Sequence, residues 1–209
     1  MNIILIIIVL IIIWSIFGYF SSRVGQAEYS VIKKSKDYEI REYPSHIIAQ
    51  TTVEGSYREA MNMGFRIIAG YIFGGNTKKE SIAMTAPVKE QKFVSEKIAM
   101  TAPVETQRSG HGVVMRFMMP SQYTVETLPK PNDPRVLIRQ VPGRTMAAIR
   151  FSGRWGEERF EERTEELLTW LQERHILVVG TPVVARYNPP WTPGFLRRNE
   201  VLVEIRMDS

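Results

Sequence analysis

The feature that most constrains this chain is an internal duplication. Residues 38–56 read YEIREYPSHIIAQTTVEGS, and residues 136–154 read VLIRQVPGRTMAAIRFSGR. With the second stretch set 98 residues after the first, Ile40 falls on Ile138, Arg41 on Arg139, Pro44 on Pro142, Ala49 on Ala147 and Gly55 on Gly153. Each copy alternates apolar and polar residues, turns at proline, alternates again and ends in glycine. That pattern predicts a hairpin followed by a helix.

Helical periodicity follows each copy. Met61, Phe65, Ile68 and Ile72 recur at i, i+4, i+7 and i+11, predicting one apolar stripe on a helix that begins near Ser56. Ser56 and Glu59 have the spacing of a capping box, and Gly74 and Gly75 supply a stop. The second helix is expected from about Gly156 to Arg174. Phe160, Leu167, Leu168 and Leu171 form its inner face, and a run of glutamates lies mostly outside. Gly112 to Met119 and Val201 to Arg206 read as strands. Two strand–strand–helix–strand–strand units imply an α+β protein, with a curled or closed antiparallel sheet and two outer helices.

The N-terminus is of another kind. Ile3 to Phe20 carries no charge and spans about 27 Å as a helix, close to the hydrocarbon thickness of a bilayer. Trp14, Tyr19 and Phe20 stand where an aromatic belt would. Residues 1–22 are therefore expected to be a transmembrane anchor, 23–37 a polar tether, and 38–209 the folded domain. A cleaved signal peptide is the competing reading, because Gly25 and Ala27 offer small residues before a cut. Against it, no basic residue precedes the apolar run. Arg23, Lys33, Lys34 and Lys36 follow the run, which by the positive-inside rule places the domain in the cytoplasm.

The chemistry is sparse. There is no cysteine, so disulfides, thiolate metal sites and thiol nucleophiles are excluded. The net charge of +5 is spread out, without a basic run suited to nucleic acid. His46, His111 and His175 are scattered and lack metal-ligand spacing, and no hydrolase or nucleotide fingerprint is found. IAMTAPV occurs twice, at 82–88 and 98–104. It reads either as two strands ending in a proline turn or as Met-bearing pocket walls. The stretch YNPPWTPGFLRR at 187–198 resembles a stiff aromatic wall for a flat acidic ligand.

These segments resemble the SOUL/haem-binding protein family. The resemblance rests on YEIREY (38–43), REAM (58–61), IAMTAPV, RFMMPSQY (116–123), the YNPP loop and RRNEVLVEI (197–205). It implies a distorted antiparallel β-barrel of duplicated units. It also implies non-covalent binding of haem or related tetrapyrroles, with no catalysis needed; the diffuse charge adds the expectation of no nucleic-acid partner. In family members that ligate iron, a His follows the Tyr-Glu-Ile-Arg stretch. Here that position is Glu42, so haem is expected without a strong axial His and with no metal-ligating residue. In the others, haem rests near the REAM residues and the C-terminal loop. Arg58 and Met61 match that motif. Phe65, Trp191 and Phe195 are added as neighbours, and Arg58, Arg197 and Arg198 are available to propionates. Membrane tethering would make the protein a buffer or carrier. Two alternatives stand beside it: an effector-binding module for another hydrophobic ligand, and a hydrolase using Glu42 or Glu200 as a pocket carboxylate.

Overall fold

A computed structural model describes residues 25–81 and 91–207, together with Ile3, Leu5, Ile6, Ile7, Val9 and Trp14. In the first half of the chain the strands are β1 (Gly25–Gln26), β2 (Ser30–Ser35), β3 (Tyr38–Tyr43) and β4 (His46–Glu54), followed by helix α1 (Tyr57–Ile72). Then come β5 (Asn76–Ser81), β6 (Gln91–Val94), β7 (Thr101–Ala102), β8 (Val104–Ser109), β9 (Gly112–Met118) and β10 (Lys130–Pro131). The second half holds β11 (Leu137–Val141), β12 (Arg144–Phe151), helix α2 (Glu157–Gln172), β13 (Leu177–Val178), β14 (Val183–Arg186) and β15 (Asn199–Arg206). The α+β class, the antiparallel pairing and the repeated element order agree with the duplication.

The chain packs as two compact units. The first comprises Met1–Pro44, Ala102–Gln107 and Gly143–Ser209, and the second comprises Ser45–Thr101 and Arg108–Pro142. Two of the four boundaries fall at the prolines of the repeat, which corrects the expected hairpins. Strand β3 pairs with β12 in the first unit, and β11 pairs with β4 in the second. Each copy of the repeat thus lends its first strand to the unit built on the other copy. The registers are equivalent: Ile40 lies opposite Ala147, and Ile138 opposite Ala49. The reason is local. Only Pro44-Ser45 and Pro142-Gly143 separate the strands, and a two-residue hairpin needs a primed turn. Type I′ and II′ turns both require positive φ at the first turn residue, which proline cannot adopt.

In the first unit, β12 is flanked by β3 and β15, β2 borders β3, and β14 lies between β15 and β8. Ile40, Ala147, Ile149, Val201, Val203 and Ile205 share the face covered by Phe160, Leu167, Trp170 and Leu171 of α2. Trp170 stacks on Tyr38 at 4.7 Å, a contact absent from the sequence expectation. Glu157, Glu158, Glu161 and Glu165 face solvent as expected. Ser30–Ser35, within the expected tether, forms an exposed edge strand on β3.

In the second unit, β4 lies between β11 and β9 under α1, and β5 joins β10 to β6. The buried face of α1 is Ala60, Gly64, Ile67, Ile68, Tyr71 and Ile72. The predicted stripe is half right. Ile68 and Ile72 are buried, but Met61 is half-buried and Phe65 is 43% exposed. The Gly64 turn of α1 faces β9: a Cβ there would lie 3.5 Å from the Met115 side chain, an ordinary contact. At the N-terminus, Ser56 Oγ donates to Glu59 Oε2 at 2.6 Å instead of capping a backbone N–H, so the capping box is incomplete. Gly74, at φ +116°, ends the helix, and the Gly75 N–H returns to the Gly70 carbonyl at 2.8 Å.

The first IAMTAPV copy lies outside the described residues. In the second, only Thr101–Ala102 is strand. Most of the expected anchor also lies outside the described residues. The six described there are helical and exposed, and among the described residues no helix is long and apolar enough to cross a membrane.

The paired registers give a test. Ala49→Leu and Ala147→Leu each insert bulk at a fully buried site opposite an exchanged strand. Each is expected to cost about 1–3 kcal/mol of unfolding free energy by urea titration. Arg150→Ala, on the exposed end of β12, is expected to stay within about 0.5 kcal/mol of the parent.

Candidate functional site

Three places carry functional side chains. The first is α1. Arg58, Met61 and Phe65 follow one another at intervals of three and four, so they share a helix face. Arg58 is exposed, and Phe65 rests with its ring 5.8 Å from that of the buried Phe117. The result is an apolar strip backed by the buried Phe117 of β9, with a guanidinium at one end.

The second is the proline-rich loop of the first unit. Trp191 is 52% exposed and Phe195 66%, with Leu196 beside them. The loop is held from within. The Thr192 N–H donates to the Pro189 carbonyl, Leu196 to Pro193, and Gly153 to Gly194, at 2.9–3.1 Å. Arg197 is part of that scaffold. Its Nε donates to the Thr192 carbonyl at 2.7 Å, its Nη2 to Pro190, and the guanidinium sits 4.7 Å over the Trp155 ring. The sequence expectation assigned Arg197 to a propionate, but two of its nitrogens are engaged in holding the loop. Arg58, Met61 and Phe65 belong to the second unit, and Trp191, Phe195 and Arg197 to the first.

The third place was only partly legible. On the face of β3 and β15 turned away from α2, Arg41 and Glu200 are both fully buried. Arg41 Nη1 and Nη2 donate to Glu200 Oε2 and Oε1 at 2.6 and 2.9 Å, a bidentate fork. Arg198 Nε donates to Glu200 Oε1 at 2.9 Å, and the Tyr187 hydroxyl to Oε2 at 2.8 Å. Arg41 Nε reaches Glu39 at 2.8 Å, so two guanidiniums meet two carboxylates. Arg198 also donates to Gln26 and to the Tyr29 hydroxyl, and Arg41 lies 4.4 Å from the Tyr29 ring.

Burial alone would raise the Glu200 pKa. The hydrogen bonds and charges of Arg41 and Arg198 outweigh it and hold the carboxyl below its usual range. Burial pushes Tyr43 up to about 12, and it drives Tyr187 well above 10 with help from the Glu200 charge. Glu200 therefore stays ionised, with both oxygens occupied, and is not available as a general base. Glu42, where a ligating His would stand, is exposed on β3. His111 and His175 are exposed, and His46 starts β4. Among the described residues, no group of His, Cys, Asp or Glu could hold a metal ion.

Residues 24–204 match the model of the SOUL heme-binding protein family. The chain is 29% identical over 175 residues to "Heme-binding protein 1" of Xenopus laevis, covering 82% of this chain and 86% of that protein. Two solved structures share the fold. The EcmrR C-terminal domain superposes with a TM-score of 0.57 at 11% identity, over 85% of this chain and 98% of that one. A structure described as a hydrolase from Listeria innocua gives 0.52 at 10% identity, over 84% and 94%.

The buried cluster has a signed pH consequence. The folded-state pKa of Glu200 lies below the ordinary 4.5, so its contribution is present above pH 4.5 and is lost as pH falls through the folded value. Glu200→Gln leaves Arg41 facing a neutral partner and is expected to cost about 3–5 kcal/mol at pH 7. Denaturant titrations between pH 3 and 7, in steps of about half a unit, should show a shallower acid decline for the variant than for the parent.

Proposed function

The chain belongs to the SOUL haem-binding protein family, and on that basis we propose that it binds haem or a related tetrapyrrole non-covalently. It acts as a membrane-tethered buffer or carrier, not as an enzyme. Besides the family membership, one observation carries this reading: the exposed Arg58–Met61–Phe65 strip of α1. A porphyrin is a flat apolar ring with two carboxylates. The strip offers matching chemistry, with Met61 and Phe65 beneath the ring and Arg58 one turn earlier for a propionate. Bound haem would supply only its own iron and ring. The protein would hold and shield it without a strong axial His.

The saturation of Glu200 by Arg41, Arg198 and Tyr187 supports binding over hydrolysis. Residues 3–20 are read as the anchor, and the cations after them, Arg23, Lys33, Lys34 and Lys36, favour the cytoplasmic face for the domain.

Titration with protoporphyrin IX tests the site. Arg58→Ala, Met61→Ala and Phe65→Ala should each weaken binding by about tenfold, equivalent to about 1.4 kcal/mol. Glu161→Ala, on the outer face of α2, should bind like the parent. Thermal melts of Arg58→Ala and Phe65→Ala should move little, because both side chains are exposed. Haemin and metal-free protoporphyrin should bind with similar affinity. A low-spin haemin spectrum lost on His46→Ala would refute the iron-independent mode. Parent-like binding by all three α1 variants would remove α1 as the platform. Tighter binding of another planar cation or a lipid would favour the effector-binding alternative.

Carbonate extraction tests the tether. The full chain should remain in the membrane pellet. Recovery of a native protein beginning at Glu28 would identify the segment as a cleaved signal.

A further inference from the structure

We propose that the Pro189–Leu196 loop inserts its aromatic tip into the headgroup layer of the membrane and seats the first unit on the bilayer surface. The proposal rests on the reading of residues 3–20 as an anchor.

The loop presents large apolar side chains to solvent although its backbone is held by internal hydrogen bonds. Trp191, Phe195 and Leu196 stay outward while Arg197 ties the loop carbonyls together and packs on Trp155. A loop without a function at its tip would be expected to fold these rings inward, since covering Phe195 would remove a large apolar ring from water. Tryptophan and phenylalanine beside arginine form the composition that partitions to the membrane interface. The arginine is present: Arg154 is exposed and packs beside Gly194, where a Cβ would lie 3.3 Å from its Cγ.

One contact specifies the occupant. Trp14, within the apolar N-terminal run, donates its indole N–H to the Trp191 carbonyl at 2.7 Å. Trp14 precedes Phe20, the last residue of the run, by six positions. The loop tip therefore meets the apolar run read as the anchor. The indole N–H, which lipid chains could not satisfy, finds its acceptor on the loop.

The chain has no cysteine, so one introduced cysteine gives a unique label. The full-length Phe195→Cys and Trp191→Cys variants, labelled with an environment-sensitive nitrobenzoxadiazole dye, are reconstituted into phosphatidylcholine vesicles containing one-fifth phosphatidylglycerol. Glu161→Cys is the control. If the loop inserts, the dye at 195 and at 191 emits at shorter wavelength, is quenched by a nitroxide near the acyl-chain top, and resists aqueous iodide. The dye at 161 stays water-like. If the vesicles float with the protein but the dyes at 195 and 191 remain open to iodide, the insertion is wrong and the anchor stands. If the protein does not float with the vesicles, both fall. If the dye at 195 is shielded only on adding protoporphyrin IX, or only in a complex with another protein, the loop serves that ligand or partner and the proposal fails.

Discussion

Proline at the turn of each repeat prevents β3 from folding back on β4 and β11 from folding back on β12, and the partition of the chain follows from that. A strand denied its sequence neighbour must find another edge, or leave its backbone groups without ladder partners. The duplication supplies an edge of matching register: β12 accepts β3, and β4 accepts β11. Neither copy of the repeat then contains a complete unit. The first unit joins β3 to α2, β14 and β15, and the second joins β11 to α1 and β9. The exchange makes the two copies interdependent although each carries its own helix.

The symmetry is broken where charge enters the interior. Arg41 of the first copy corresponds to Arg139 of the second. Ala49 lies opposite Phe117, and Ala147 lies opposite Val203, so the position matching Glu200 is Val114. In the first unit the arginine finds its carboxylate and is buried. In the second, β9 offers valine and Arg139 stays exposed. A buried ion pair contributes little net stability, because desolvation offsets most of the attraction, but it is costly to break. It therefore selects against misplacement. Any register that moves β3 relative to β12 strands Arg41 or Glu200 in an apolar interior. The charged pair favours one position for the exchanged strand, whereas the alternating apolar residues on the helix-facing side would tolerate a shift by two.

This explains which parts were legible in the sequence. Helix ends, the strands at Gly112 and Val201, and the repeat are all written in local periodicity and in glycine or proline placement. The strand exchange is not, because alternation says that a strand forms and not which edge it takes. The sequence signal lay in the proline at a two-residue turn. The rotation of α1 was hidden for a similar reason. Ala60 and Gly64 contribute little hydrophobicity, so apolar spacing alone runs the stripe through Met61 and Phe65. Burial here follows from which turn of α1 packs on Met115 of β9, and not from the size of the apolar side chains. Arg41 and Glu200 stood in recognisable stretches, but 159 residues separate them and no pattern linked them.

Two side chains carry the same lesson into function. Spacing places Phe65 in the core and its position next to Met61 places it at a ligand site, and these readings cannot both hold for a fully buried ring. Its 43% exposure separates them: the ring rests on Phe117 on one side and is open on the other. Arg197 shows the reverse. Its charge suggested a partner outside the protein, yet its nitrogens are engaged by loop carbonyls, and what the loop holds outward is aromatic surface. Side chains that local packing leaves exposed at an energetic cost are better guides to what the protein meets than side chains chosen for their charge. On that criterion the open half of α1 is the proposed surface for a flat ligand, and the exposed Trp191 and Phe195 carry the proposed membrane contact.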